Sequence, residues 1–208
     1  MSAAAKEKSA HGPRRRRLAA APRREQTRAR IREAANDLFL RKGVDRTTVD
    51  EIVAKAGVSK GTFYLYFDRK EDLLLEYGTR RLQRVREMLP ELIGGKTFAE
   101  ALGVILDQVV RGKSWGREVT GRAIVEMGTS AERLPLEAPY RLLEPLLVLA
   151  QARGEVRNDI SARQLAQFVL RSILGALRDW GLSQDEELSR DEALDCAVTL
   201  VLDAIKRS

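Results

Sequence analysis

The run Ser59-Lys-Gly-Thr62, followed by Tyr64 and Tyr66, gathers hydroxyl, ammonium and phenol groups within eight residues. These groups suit contact with nucleic acid. Lysine reaches guanine O6 and N7, a threonine methyl meets a thymine methyl, and a tyrosine hydroxyl donates to a phosphate oxygen. Gly61 costs about 1 kcal/mol relative to alanine inside a helix, and a backbone that must approach DNA closely is a reason to keep it. Metal and nucleophile chemistry is poorly represented. One cysteine, Cys196, and one histidine, His11, exclude an intramolecular disulfide framework, zinc fingers, sites needing paired histidines and buried Ser-His-Asp triads. No metal and no cofactor is expected.

These residues need a rigid mount, and the local signals supply one. Thr48-Val-Asp-Glu51 reads as a capping box that starts a helix at Val49, with Ile52, Val53 and Ala56 turned inward and Gly57 as its stop. Ser59 caps the next short helix, which holds Phe63 and Phe67. Helix, tight turn through Ala56-Gly57-Val58, and second helix make a helix-turn-helix, in which the second helix enters the major groove. Ahead of it, Ile31, Ala35, Leu38 and Phe39 share a face of a helix from about Arg24 to Lys42, ended by Gly43. Val44 to Thr47 connect the two, and Asp68-Arg-Lys-Glu71 starts a fourth helix expected to run toward Met88, before Pro90.

The rest of the chain continues the helical pattern, near 97–111, 115–128, 137–152, 162–180 and 190–206, with Pro139 in a first turn and Pro145 expected to kink its helix. No alternating run is long enough to build a sheet, so the fold class is all-α. The chain has 208 residues, 44% hydrophobic but only 5% aromatic, enough apolar material for a sizeable core. Its net charge of +7 is uneven: residues 1–32 hold eleven Lys and Arg against two acids, a local +9, and the remainder carries −2. The excess points one end of the molecule at a polyanion. Residues 1–23 show no periodic apolar face and read as a disordered basic arm. Arg14, Arg15, Arg16 and Arg17 either track into a minor groove or form a solvated tail, and in both cases steepen salt dependence. No apolar run approaches a membrane span, and the chain reads as cytoplasmic.

Val58-Ser-Lys-Gly-Thr-Phe-Tyr-Leu-Tyr-Phe-Asp-Arg-Lys-Glu-Asp-Leu-Leu74, preceded by Thr47-Thr-Val-Asp-Glu-Ile-Val-Ala-Lys-Ala-Gly57, closely resembles the DNA-binding domain of the tetracycline-repressor-like regulators over about residues 24–76. The resemblance implies a three-helix DNA-binding domain over 24–70 and a larger helical effector-binding and dimerisation domain over 71–208. It also implies a homodimer on a palindromic double-stranded operator, released by a small effector. Thr48 and Lys70 then hold phosphates, Tyr64 and Tyr66 contact backbone or base edges, and Ser59, Lys60, Gly61 and Thr62 supply groove contacts. Leu65 departs from the pattern, its position being often polar or basic in relatives, which leaves thymine-methyl contact or plain packing. Taken alone, Tyr64 and Tyr66 also fit an amphipathic surface, and Lys70 an ordinary solvated lysine.

In the last two helices, Leu165, Val169, Ile173, Ala176 and Trp180, and then Leu194, Val198, Val201, Leu202 and Ile205, sit within apolar arcs wide enough to serve both the protein's own core and a second subunit. Burial within one domain is the alternative. An effector pocket is expected among the middle helices, where Trp115, Glu118, Arg122, Glu126, Met127 and Tyr140 offer aromatic, thioether and charged groups. Against this, Trp115 and Met127 also suit a core, and Glu118 with Arg122 an exposed ion pair. Three other functions fit less of the chain: an effector-independent architectural DNA-binding dimer, an all-α enzyme using Glu118 and Glu126, and a helical adaptor. The last two leave the basic arm or the cap-turn-cap pattern unexplained.

Overall fold

The computed structural model describes residues 13–111, 115–129, 139–184 and 187–207, and the side chains of 13–22 and 128–129 are outside that description. Among the described residues the elements are α1 (Pro13–Lys42), α2 (Val49–Ala56), α3 (Lys60–Tyr64), α4 (Asp72–Gly95), α5 (Phe98–Leu106) with a π turn over Asp107–Arg111, α6 (Arg117–Thr129), α7 (Tyr140–Ala152), α8 (Ala162–Leu182) and α9 (Arg190–Ile205). No strand occurs among them. The one β-type contact is a bridge between Val156 and Lys206, which ties the end of α9 to the α7–α8 connection.

Two hydrophobic cores organise these helices. In the amino-terminal head, Ile31, Ala35 and Phe39 of α1 meet Ile52 and Val53 of α2, Phe63 of α3, and Phe67. A second core in the body joins Val85 and Leu92 of α4, Leu102 of α5, Leu147 of α7, Leu165 and Val169 of α8, and Leu194 and Val201 of α9. Both cores use α4. Its apolar side chains run from Leu73 and Leu74 in the head core to Val85 and Leu92 in the body core.

Expected turn chemistry holds in the head. Gly43, at φ +84°, and Gly57, at φ +63°, take the left-handed conformation that ends α1 and α2. After α2, Gly57 N–H donates to Ala54 O at 3.3 Å and Val58 N–H to Val53 O at 3.1 Å, closing the turn between α2 and α3. Ser59 accepts from Thr62 N–H at 3.1 Å. Further along, the capping boxes at Ser161 and Ser189 are present as read from the sequence, and Thr97 adds another.

Three boundaries differ. Helix α1 begins at Pro13, so residues 13–23, expected to be disordered, continue it; Ala and Arg are strong helix formers even without an apolar face. Residues 1–12 and the side chains of Arg14 to Arg17 lie outside the described residues. Helix α4 starts at Asp72, not at Asp68, because the Asp72 carboxylate reaches back to accept from the N–H groups of Asp68 (3.0 Å) and Arg69 (2.9 Å). The same helix passes through Pro90, which is exposed, because Leu92 and Ile93 beyond it still pack on the body core and outweigh the lost hydrogen bond. Pro145 lies within a helix assigned without a break, α7, and Pro139 stands at its N-cap.

Two glycines set the spacing between α6 and α8. A Cβ on Gly121 would lie 2.8 Å from the Gly181 carbonyl carbon, and one on Gly181 would lie 2.5 Å from Gly121 Cα. The two backbones touch there. Arg117 fastens the same end, donating to Leu188 O at 2.6 Å and resting 5.1 Å over the Trp180 ring.

The cap of α2 carries a pH dependence. Lys42 beside Glu51, with the Thr48 N–H and hydroxyl donating to its carboxylate, lowers Glu51 from the ordinary 4.5 to about 2. Its stabilisation is therefore complete above about pH 4.5 and is lost as pH falls toward 2. Carboxyl chemical shifts should titrate Glu51 near 2, and Glu51→Gln should flatten the acid side of the head's stability profile; an ordinary glutamate midpoint would contradict this capping geometry.

A candidate DNA interface and the cavity behind it

Helix α3 is the positioned element. Phe63 is fully buried and packs edge-on against Tyr64 at 5.3 Å and against Phe67 at 5.6 Å, which fixes the helix's roll. That roll exposes Ser59, Lys60, Gly61, Tyr64 and Leu65, with Thr62 and Tyr66 half-buried. All seven lie on this one short segment, as the sequence implies. Leu65 is 82% exposed, so it does not pack into the head core. At Gly61 an added Cβ would meet only Ser59 Oγ, at 3.9 Å, so nothing inside the protein requires glycine.

Local partners set what each group can offer DNA. The Ser59 and Thr62 hydroxyls bond each other at 2.8 Å, so one of their two protons remains to donate elsewhere, beside the Thr62 methyl. Lys60 Nζ rests 2.8 Å from Asp50, an exposed pair that holds the lysine ready beside the groove face and raises its pKa. Thr48 is exposed at the start of α2, where its Oγ1 accepts from Glu51 N–H at 3.3 Å and donates to the Glu51 carboxylate at 2.8 Å, so a phosphate would have to take that donor from Glu51. A cleft lined by Arg24, Glu25, Arg28, Leu65 and Tyr66 adjoins the segment. Arg28, not singled out in the sequence, lines this cleft while its Nε donates to Glu76 at 2.8 Å and its guanidinium rests 5.5 Å over the Phe67 ring.

Lys70 does something else. Its ammonium donates to Val44 O and Thr47 O, both at 2.7 Å, and to Asp45 O at 3.3 Å. Three donors meet three carbonyls of the α1–α2 connection, so the group implied as a phosphate ligand is a strut inside the head.

The expected pocket residues divide. A cavity of about 130 Å³ lies between α4, α6 and α8, and Trp115 and Met127 line it with Tyr77, Arg81, Thr120 and Ile124. Glu118, Arg122 and Glu126 do not line it. They occupy the opposite side of α6, against the head: the Glu118 carboxylate fills the space where Gly43 would carry a side chain, Arg122 lies 3.6 Å from Asp45, and buried Glu126 pairs with Arg69 at 2.5 Å. Spacing on one helix could not say which neighbour each face meets. Tyr140 is away from the cavity too, its hydroxyl accepting from Arg163 at 2.9 Å. Trp115 also reaches the head, its Nε1–H donating to Asn36 Oδ1 at 2.5 Å.

The expected subunit-contact residues also change role. Leu165, Val169, Ile173, Trp180, Leu194, Val201 and Ile205 are buried within the single chain, and Ala176, Val198 and Leu202 are half-buried. The centre of each arc serves the protein's own core. The apolar side chains left outside are Phe168 and Leu182 on α8 and Leu200 on α9, respectively 46%, 60% and 65% exposed.

Among the described residues there is no metal-binding cluster and no helix long and apolar enough to cross a membrane. Residues 31–77 match the family model described as bacterial regulatory proteins, tetR family. The chain is 31% identical over 172 residues to the transcriptional repressor BepR of Brucella suis, covering 74% of this chain and 80% of that one. It is 23% identical to a fatty acid metabolism regulator protein of Bacillus subtilis, covering 75% and 84%. Its fold superposes on the repressor FadR of Thermus thermophilus, solved in complex with lauroyl-CoA, with a TM-score of 0.66 at 27% identity, covering 84% of this chain and 93% of that one.

The strut assignment separates two outcomes for Lys70→Met. Leaving part-buried carbonyls unsatisfied should destabilise the head by about 1–3 kcal/mol, read as a lower urea midpoint. An unchanged midpoint with a shallower salt dependence of DNA binding would instead put Lys70 on a phosphate.

Proposed function

The chain belongs to the tetR family of bacterial regulatory proteins, a DNA-binding transcriptional regulator, and from that premise we propose that it is a homodimeric repressor that leaves a palindromic operator when a small molecule fills the cavity behind α6. One observation carries this reading. Val119 and Ala123 of α6 are buried in the head core, while Ala123 and its neighbours Thr120, Ile124 and Met127 line the cavity. Whatever occupies the cavity presses on the helix that the head is packed against. The repressors among the relatives support repression, and the ligand-bound one supports a small-molecule effector.

The second copy follows from DNA geometry. Two recognition helices on one face of a duplex read two half-sites about one helical turn apart, and a twofold dimer supplies them. Phe168, Leu182 and Leu200 are the apolar groups that such a partner covers. The contact side chains proposed for DNA are Thr48, Ser59, Lys60, Thr62, Tyr64, Leu65 and Tyr66, with the backbone at Gly61 and with Arg14 to Arg17 at the start of α1.

Fluorescence anisotropy with a duplex from upstream of the chain's own gene and with a scrambled duplex, across a salt series, tests this. Tight binding of the first at two protomers per site is expected. Gly61→Ala should weaken it at least tenfold with no loss of thermal stability, and Leu200→Glu should yield monomers in sedimentation together with loss of binding. Equal affinity for both duplexes, indifferent to Gly61→Ala, would contradict the reading.

A further inference from the structure

The cavity behind α6 does not end where Trp115 and Met127 line it. A second chamber of about 70 Å³ adjoins it, and the two share Leu82, Val109, Val110, Leu170, Leu174 and Leu177 as walls. Their linings are unlike: the first, outer, chamber takes walls from the head core, and the second, inner, chamber lies within the body core. The inner chamber is lined by aliphatic side chains alone among the described residues. The outer one holds Tyr77, Trp115 and Thr120 and, among the described residues, the charged side chains that line either chamber, Arg81 and Arg190, the latter also paired with Asp191 at 3.2 Å. No acidic side chain lines either chamber among the described residues. The outer groups are also ordered: the Arg81 guanidinium sits 4.6 Å over the Tyr77 ring, and that ring stacks on Trp115 at 4.3 Å. Arg81 also donates to Tyr77 Oη at 3.0 Å and to Val109 O.

We propose that the effector is a straight-chain amphiphile with an anionic head, an acyl chain ending in a carboxylate or joined to an anionic carrier, lying tail inward with its head toward Arg81 and Arg190. A small inner chamber with no polar side chain suits a methylene chain better than a ring system bearing hydrogen-bonding groups, which it would leave unpaired. Positive groups at one end only set the direction of entry. The head group then lies beside Trp115, whose indole N–H is bonded to Asn36 of α1, so occupancy is felt in the head directly. This assignment rests on the effector-release reading above, and ligand binding is therefore measured first without DNA.

Titration calorimetry on the full chain with the sodium salts of hexanoic to dodecanoic acid, with dodecanol, and with the dodecanoyl thioester of coenzyme A makes the test. Affinity should rise about fourfold for each added methylene until the space is full. Dodecanol should bind at least tenfold more weakly than dodecanoate. Whichever of the free acid and the thioester binds more tightly identifies the source of the acyl chain. Arg81→Gln should abolish the preference for the acid while keeping the chain-length dependence, and Leu174→Phe should shorten the longest chain accepted while leaving hexanoate unchanged. Affinity independent of chain length, or equal for acid and alcohol, would overturn the proposal. Binding with these preferences that leaves the operator-bound fraction unchanged would uphold the ligand class and overturn the release reading.

Discussion

Helix α6 has to belong to two hydrophobic cores at once, and the rest of the structure depends on how it does so. Its contact with α8 is backbone on backbone at Gly121 and Gly181, which leaves no side-chain layer to absorb a shift. On its head side, Val119 and Ala123 are buried, the Glu118 carboxylate packs against Gly43, and polar contacts join Trp115 to Asn36, Arg122 to Asp45 and Glu126 to Arg69. These contacts are unequal. Arg122 and Asp45 are 41% and 71% exposed, and such a pair is worth at most about 1 kcal/mol. Glu126 is only 9% exposed, so separating it from Arg69 strands a carboxylate away from water. Packing and the Arg69–Glu126 pair therefore hold α6 to the head, and the exposed pair tunes the contact.

From this constraint the head inherits its rigidity. Glu118 sits against the residue that ends α1, and Lys70 gathers the carbonyls of the connection that follows, so the start of α2 is held from both sides. The α2 start in turn carries Thr48 and, through the Gly57 turn, the DNA-facing surface of α3. A displacement of α6 is passed to these groups as a rigid-body movement, because interlocked side chains and helix caps deform little. Attraction between a basic segment and phosphates, by contrast, acts at long range and falls with salt. The two terms are separable: one reports geometry and the other charge.

Much of the head was legible in the sequence because its signals are local. The capping box at Thr48, the left-handed Gly57 and the Ser59 cap each lie within four residues of their partners, and the face of α3 follows once Phe63 and Phe67 are assigned inward. Long-range roles were not legible. Glu118, Arg122 and Glu126 share one helix with the cavity residues, and periodicity gives a face its composition but not its neighbour. Leu165 and Leu194 marked wide apolar arcs whose centres turned out to be the protein's own core. Lys70 looks solvated in sequence because its three acceptors are backbone carbonyls from 23 to 26 residues away, which no side-chain pattern reveals. Pro90 ends no helix because the packing of residues beyond it, invisible locally, decides the matter.

The coupling between cavity and head is open to a test that needs no effector. Gly78 lies on the cavity wall in α4, and a Cβ there would meet only Met127 Sδ, at 4.0 Å, so a larger side chain can enter the cavity without colliding with backbone. On a duplex selected from random DNA by the wild-type chain, Gly78→Leu should lose operator affinity by tenfold or more while its thermal stability is retained or improved. A Gly78→Leu protein that is stable and binds that duplex as tightly as the wild type would show that the cavity and the DNA-binding head are not coupled through α6.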